Sequence, residues 1–95
     1  MGAFFPLYAG ANRIGRAGAA EGLDVAIADP ATSSNHANIH LDPVAQRAVI
    51  EDLGSTNGTF VNDERLPHAG HRDLRPGDRI RFGSYTARLL IVPQG

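Results

Sequence analysis

The apolar residues of this chain recur in short stretches with a period of two, the spacing of a β-strand that buries one face. Residues 36–41 and 79–82 alternate polar and apolar side chains, and in residues 85–92 one face is formed by Tyr85, Ala87, Leu89 and Ile91. Strand character is also present in residues 3–8, 12–15, 25–28, 48–53 and 59–61. Glycine and proline separate these segments, so no long helix is expected, and residues 17–22 are predicted to be a loop. The pattern predicts an all-β sandwich of short strands.

Length and composition narrow the class of protein. The 95 residues suffice for one small domain, so we expect residues 1–95 to form a single unit. The absence of cysteine excludes disulfides, a thiol nucleophile and cysteine-ligated metal. The net charge of −1 lacks the basic excess typical of nucleic-acid binders. No apolar run approaches the roughly 18 residues of a membrane helix, and no signal peptide is evident, so we expect a cytoplasmic protein without a membrane partner.

Three polar clusters lie at predicted strand ends, in residues 14–16, 32–36 and 52–62. If these loops share one edge of the sandwich, a guanidinium and several hydroxyl and amide groups can converge on a polar ligand. Each cluster also has a purely structural interpretation. Arg16 can be an ordinary surface residue, Ser33 and Ser34 can form local turn hydrogen bonds, and Asn57-Gly58 is a common hairpin-turn dipeptide.

The order of the motifs is more specific than any one of them. The chain carries, in sequence, Ile14-Gly15-Arg16, Ser33-x-x-His36, Asp52-Leu53-Gly54-Ser55-Thr56-Asn57-Gly58-Thr59-Phe60-Val61-Asn62, and Leu74-x-x-Gly77-Asp78-x-Ile80-x-Phe82-Gly83. This order closely resembles the forkhead-associated (FHA) domain, from about residue 12 to residue 83. The resemblance implies an eleven-stranded β-sandwich that binds phosphothreonine peptides through loops at one end.

The resemblance also assigns ligand-binding roles. Arg16 matches the arginine that contacts the phosphate, and Ser33 matches the serine whose hydroxyl donates to a phosphate oxygen. Thr56 matches a residue that lines the phosphate site, and Asn57 matches the asparagine that bonds the peptide backbone. Ser34 stands where many family members have Arg, Lys or Asn to hold phosphate or peptide; it offers one hydrogen bond but no charge.

Four further residues are expected to support this site. By resemblance, His36 holds the Ser33 loop without touching the ligand, Gly15 and Gly58 occupy turn-forming positions, and Asn62 is a structural polar residue. No catalytic residue, metal ligand or cofactor is expected. A phosphothreonine carries about −1.5 to −2 charge at pH 7, which suits an arginine and a hydroxyl donor. The prediction is a non-catalytic module that recruits phosphothreonine-containing proteins in Ser/Thr kinase signalling.

Other functions fit the residues less well. Residues 10–17 have the glycine spacing of a phosphate loop, but Arg16 and Ala17 replace its lysine and hydroxyl residue. His36 and His40 would lie about 13 Å apart on one strand face, too far apart for one metal ion. A hydrolase built from Ser33, His36 and Asp52 lacks a nucleophile elbow. The main alternative is a phosphate-independent interaction or self-association module with the same fold, which the uncharged Ser34 favours.

Overall fold

The structure, a computed structural model, describes residues 5–90. Within that range the chain forms nine strands: β1 (Gly10–Arg16), β2 (Val25–Ile27), β3 (Ala37–Asp42), β4 (Arg47–Asp52), β5 (Thr59–Val61), β6 (Glu64–Arg65), β7 (His71–Leu74), β8 (Arg79–Phe82) and β9 (Tyr85–Arg88). They form a five-stranded sheet in the order β2-β1-β3-β4-β7 and a four-stranded sheet in the order β6-β5-β8-β9. The all-β sandwich predicted from the sequence is confirmed. The described residues include no helix that could span a membrane.

The nine strands of residues 5–90 are close to the expected number of about eleven. Of the predicted strand 3–8, residues 5–8 form no strand, and residues 3 and 4 lie outside the described range. The last strand ends at Arg88, and residues 91 and 92 also lie outside that range. Two strands were not predicted: β6 has only two residues, both exposed, and β7 buries only Leu74 fully. Neither carries an alternating apolar pattern, so only their pairing to β5 and β4 reveals them.

The core lies between the two sheets. The larger sheet contributes Ile14, Ile39 and Ile50, which are at most 4% exposed, and the smaller sheet contributes Ile80 and Phe82 at 3%. Burial of side chains of this size stabilises the fold by about 1.5–3 kcal/mol each. Because these residues alternate with exposed ones along each strand, the period of two in the sequence reappears as the two faces of each sheet.

Strand direction brings several connections to the same end of the sandwich. Strand β1 runs parallel to β2, with Arg16 opposite Ile27, so both strands end together. Strand β3 is antiparallel to β1 and β4, so it begins at the end where β1 and β4 finish. Strand β5 begins at Thr59 opposite the end of β8 at Phe82. Residues 28–36, 53–58 and 83–84 therefore connect strands at one end of the sandwich, and residues 17–24 begin there and cross to the start of β2.

Candidate functional site

The first part of the site is the end of β1, where Arg16 follows a closely packed glycine. A Cβ on Gly15 would overlap the backbone carbonyl of Ser34 and approach Leu23 Cδ2 to 3.0 Å. Glycine is therefore required inside this strand by the close approach of the next loop, and not by the turn expected from the sequence. The Arg16 backbone N–H donates to the Ser33 carbonyl at 3.0 Å, which joins the end of β1 to the loop before β3.

Ser33 is held at its backbone and at its side chain. Its N–H donates to Nδ1 of His36 at 3.0 Å, and its carbonyl accepts from Arg16. Its Oγ accepts the backbone N–H of Thr56 at 3.0 Å. Because Oγ is here an acceptor, the hydroxyl hydrogen can be donated to a ligand oxygen. Ser33 is therefore bonded to the end of β1, to its own loop and to the connection before β5, and its hydroxyl is left to act as a donor.

His36 is completely buried and bridges two loops. While Nδ1 accepts from Ser33, Nε2 lies 2.9 Å from the carbonyl of Gly58, so the neutral ring with hydrogen on Nε2 satisfies both bonds. Burial lowers the pKa of His36, and the Gly58 hydrogen bond and the Asp52 charge oppose that shift without reversing it. The sequence placed His36 and His40 on one strand face, but His36 precedes β3 and is buried while His40 is exposed.

Asp52 organises the connection between β4 and β5. Its Oδ1 accepts from the hydroxyls of Ser55 at 2.6 Å and Thr59 at 2.7 Å. Its Oδ2 accepts the backbone N–H groups of Gly54 and Ser55. Burial by itself would raise the pKa of the Asp52 carboxyl, but these hydrogen bonds outweigh burial and hold that pKa below its ordinary value. The Gly58 N–H in turn donates to Ser55 Oγ at 3.1 Å, which fixes the backbone around the predicted ligand-binding residues.

Asn57 and Thr56 lie exposed at the tip of this connection. The Nδ2 group of Asn57 donates to the Ala31 carbonyl at 2.9 Å, so Asn57 is joined to the loop that carries Ser33. A Cβ on Gly83 would overlap that same carbonyl, so Gly83 lets residues 83–84 pack against Ala31. The backbone N–H of Gly83 also donates to the Gly58 carbonyl. Asn57-Gly58 is therefore part of a six-residue connection, not a two-residue hairpin turn.

The structure brings together the five residues predicted to bind ligand. Backbone and side-chain hydrogen bonds link Arg16 to Ser33, Ser33 to Thr56, and Asn57 to the Ser33 loop. Within residues 5–90 no salt bridge or side-chain hydrogen bond engages the Arg16 guanidinium, which is half-buried. Ser34 is half-buried and lies beside Gly15. A cation and a set of oriented donors therefore share one end of the sandwich.

Asn62 lies elsewhere. With Asp63 it forms the two-residue turn between β5 and β6, and both residues have positive φ angles of 49° and 70°. Its Nδ2 donates to Asp78 at 2.9 Å and its Oδ1 accepts the N–H of Arg79 at 3.0 Å. These bonds join two turns at the opposite end of β5, so Asn62 supports the fold and not the loops of the site.

Sequence reasoning did not predict the hydrogen-bonding roles of several residues that shape the site. Asp52, Ser55 and Thr59 form the hydrogen-bonded centre of one loop, and the Ala31 carbonyl accepts from Asn57. The signal for the first three was present, since all belong to the 52–62 motif. The Ala31 bond could not be predicted from residue type, because it is made by a backbone carbonyl.

The same geometry excludes a catalytic triad of Ser33, His36 and Asp52. Both ring nitrogens of His36 are engaged by backbone groups, so neither can take a proton from Ser33 Oγ. The carboxylate of Asp52 accepts from Ser55, Thr59 and Gly54. No three His, Asp or Glu side chains among residues 5–90 are grouped to hold a metal ion.

Comparison with known proteins identifies the family. The family model of the FHA domain matches residues 12–83. The chain belongs to the FHA domain family. It is 38% identical over 78 residues to an FHA domain-containing protein of Arabidopsis thaliana, a match that covers 82% of this chain and 19% of that protein. The FHA domain thus corresponds to less than a fifth of that relative's length. Because FHA domains are interaction modules, the domain itself is non-catalytic.

Solved structures extend the similarity. One is an FHA domain studied for phosphothreonine-dependent interactions, with a TM-score of 0.79 and 33% identity over 93% of this chain and 83% of that chain. Another is EmbR of Mycobacterium tuberculosis in complex with a low-affinity phosphopeptide, with a TM-score of 0.79 and 33% identity over 96% of this chain and 22% of that chain.

Proposed function

We propose that this FHA domain is a phosphothreonine-dependent protein–protein interaction module. The observation that carries the proposal is the convergence of Arg16, Ser33, Thr56 and Asn57 at one end of the sandwich. Two similar solved structures, both at 33% identity, concern phosphothreonine-dependent FHA domain interactions and a phosphopeptide complex. The ligand is a phosphorylated segment of another protein.

Each residue has a role that its surroundings permit. The Arg16 guanidinium, free of internal carboxylates among the described residues, provides paired N–H donors for the phosphate. Ser33 Oγ, already accepting from Thr56, directs its hydrogen to a phosphate oxygen. Asn57 uses one Nδ2 hydrogen on Ala31 and retains a donor and a carbonyl for an extended peptide backbone. Ser34 adds a hydroxyl but no charge, so the positive charge that faces the phosphate comes from Arg16.

Binding and the Arg16 variant test the proposal. A degenerate library of fluorescent phosphothreonine peptides should bind the native chain, and the dephosphorylated library should not. Hydrogen bonds to charged groups contribute roughly 1.5–3 kcal/mol each, so loss of the two Arg16 donors in Arg16→Ala should weaken binding about 100-fold or more. The melting temperature should stay within a few degrees, because the Arg16 side chain has no internal hydrogen-bond partner among the described residues.

Arg13→Ala is the matched control. Arg13 lies on the same strand but is exposed on the outer face of the sheet. Its removal should change affinity by no more than about twofold, the scale of a distant, screened charge. Equal binding of phosphorylated and dephosphorylated libraries would instead favour the phosphate-independent or self-association module.

The wider setting is part of the same proposal. A module of this kind recruits phosphorylated partners in Ser/Thr kinase signalling, and a cytoplasmic location remains a prediction from the sequence. A pull-down with the native chain and its Arg16→Ala variant, followed by phosphosite mapping, would identify the partners that depend on the site.

A further inference from the structure

The outer face of the smaller sheet carries a cluster of arginines beside the site. Cross-strand pairing aligns Arg65, Phe60 and Arg81 in one row across β6, β5 and β8. The Arg81 Cζ lies 3.7 Å from the centre of the Phe60 ring, and the Arg65 Cζ lies 5.8 Å from it. We call Arg65, Phe60 and Arg81 the arginine strip.

The arginine strip is continuous with the ligand-binding loops. Arg65 Nε lies only 2.7 Å from the position that a Cβ of Gly58 would occupy, so Arg65 covers the residue that follows Asn57. Arg81 donates through its NH1 group to the carbonyl of Gly83 at 2.6 Å, and Gly83 packs on Ala31. Arg65 therefore lies against the connection that carries Asn57, and Arg81 is bonded to the turn that packs on Ala31.

The charge of the strip is not neutralised within the part of the chain that the structure describes. The ion pairs among residues 5–90 involve Arg47, Arg72 and Arg79, and none includes Arg65 or Arg81. The Arg81 Cζ lies over the Phe60 ring and its NH1 group is bonded to the Gly83 carbonyl, so this half-buried guanidinium is held in position and keeps further N–H donors for a ligand. Two unpaired cations beside one aromatic ring match carboxylate side chains.

One carboxylate lies close to the loops that the strip contacts. Asp29 accepts from the Ala31 N–H and from the hydroxyl of Ser84, the residue that follows Gly83. Its negative charge is already engaged by these two donors, and it forms no ion pair with Arg65 or Arg81 among the described residues.

We propose that the arginine strip is a second subsite, which binds acidic residues flanking the phosphothreonine of the same peptide. This inference rests on the proposed function, since the peptide must first be held by Arg16, Ser33 and Asn57. The subsite selects among phosphopeptides: a carboxylate-bearing flank gains contacts with Arg65 and Arg81 that a neutral flank lacks.

The experiment compares matched phosphothreonine libraries. In one, the positions on the carboxyl side of the phosphothreonine are a run of Asp; in a second, the run is on the amino side; in a third, Gln replaces Asp at all these positions. The native chain should bind one of the acidic libraries about three- to tenfold more tightly than the Gln library, the range expected for charge-assisted contacts at an exposed rim. This preference should shrink at high salt.

Four variants test whether the preference belongs to the strip. Arg65→Gln and Arg81→Gln should each remove most of the acidic preference while leaving affinity for the Gln library within about twofold. Arg88→Gln is the control, because Arg88 lies on the same sheet face but at the far end of β9, opposite Arg79. It should alter neither affinity. Arg81→Lys, which retains the charge above Phe60, should keep part of the preference.

The outcomes separate the two proposals. Phosphate-dependent binding without an acidic preference overturns the subsite and leaves the proposed function intact. Equal losses for acidic and Gln libraries in the strip variants also overturn it, because the arginines would then act only by supporting Gly58 and Gly83. Binding of a DNA oligonucleotide as tightly as the acidic phosphopeptide would assign the strip to polyanions and overturn it as well. Absence of any phosphate dependence refutes the proposed function itself.

Discussion

At the scale of single residues, His36 links two loops through both of its ring nitrogens. One accepts the Ser33 N–H and the other donates to the Gly58 carbonyl, in a site with no exposure to solvent. Its ring also meets Phe82 edge-on, with centroids 5.7 Å apart. A single side chain thus ties the predicted phosphate-binding serine to the loop of Asn57 and to the core.

We expect His36→Ala to lose stability as well as phosphopeptide binding. The variant leaves the part-buried Ser33 N–H without its partner, removes one of the two donors to the Gly58 carbonyl and opens a cavity, so the free energy of unfolding should fall by about 2–4 kcal/mol. Urea unfolding would measure this loss. The control is His40→Ala, an exposed position on β3 that should change stability by no more than about 0.5 kcal/mol. Lost binding with normal unfolding would make His36 a direct ligand contact instead.

At the scale of elements, the site depends on how closely a strand and a loop can approach. Strand β1 carries Gly15 against the carbonyl of Ser34, and Asp52 closes the connection from β4 to β5 around Ser55. The loop before β3, which carries Ser34, and the connection from β4 to β5 contain no regular secondary structure. Each of them is fixed by hydrogen bonds to a neighbouring element. The binding loops are therefore ordered by contacts between elements.

Gly15→Ala should disturb the site from within the strand. The added methyl group displaces the Ser34 backbone, because it would otherwise overlap that carbonyl. We expect a loss of about 1–3 kcal/mol in stability, as for other overpacked positions, together with weaker phosphopeptide binding. Amide chemical shifts should move most near Ser33 and Thr56. Ala11→Ser, exposed on the same strand, is the control; equal shifts in the two variants would contradict the packing argument.

At the scale of the whole molecule, three hydrogen-bonded ionisable groups with lowered pKa values make stability depend on pH. Burial lowers the pKa of His36 from its ordinary value of 6.5. Hydrogen bonds hold the pKa of Asp52 below 3.8 despite burial, and hydrogen bonds from Arg75 and Asn62 do the same for Asp78. For each group the unfolded chain takes up its proton at a higher pH than the folded chain does.

Stability should therefore fall in two stages as the pH is lowered. The His36 contribution is complete above pH 6.5 and is lost as the pH falls below that value towards the lowered pKa of the folded state. The Asp52 and Asp78 contributions are lost as the pH falls below 3.8. Urea unfolding between pH 7.5 and about pH 3 would record both stages, and His36→Ala should remove the first. Constant stability between pH 7 and pH 5 would contradict the assignment to His36.

The alternation of apolar residues was sufficient to predict the sandwich and most of its strands, because one face of each strand packs in the core and the other faces water. It failed for β6 and β7, whose place is determined by pairing and not by their own burial pattern. The motif order pointed to residues that the structure does bring together, Arg16, Ser33, Thr56 and Asn57; their roles toward a ligand remain predictions.

Only the tertiary structure decided how these residues are held and what lies beside them. The two-residue hairpin turn lies at Asn62-Asp63 and not at Asn57-Gly58. The carbonyl of Gly58 instead accepts hydrogen bonds from His36 and Gly83, which come from other parts of the chain. The arginine strip likewise exists only because strand pairing aligns residues 60, 65 and 81. Local patterns specify which face of a strand is buried, but contacts between distant residues depend on register, and a single sequence does not display register.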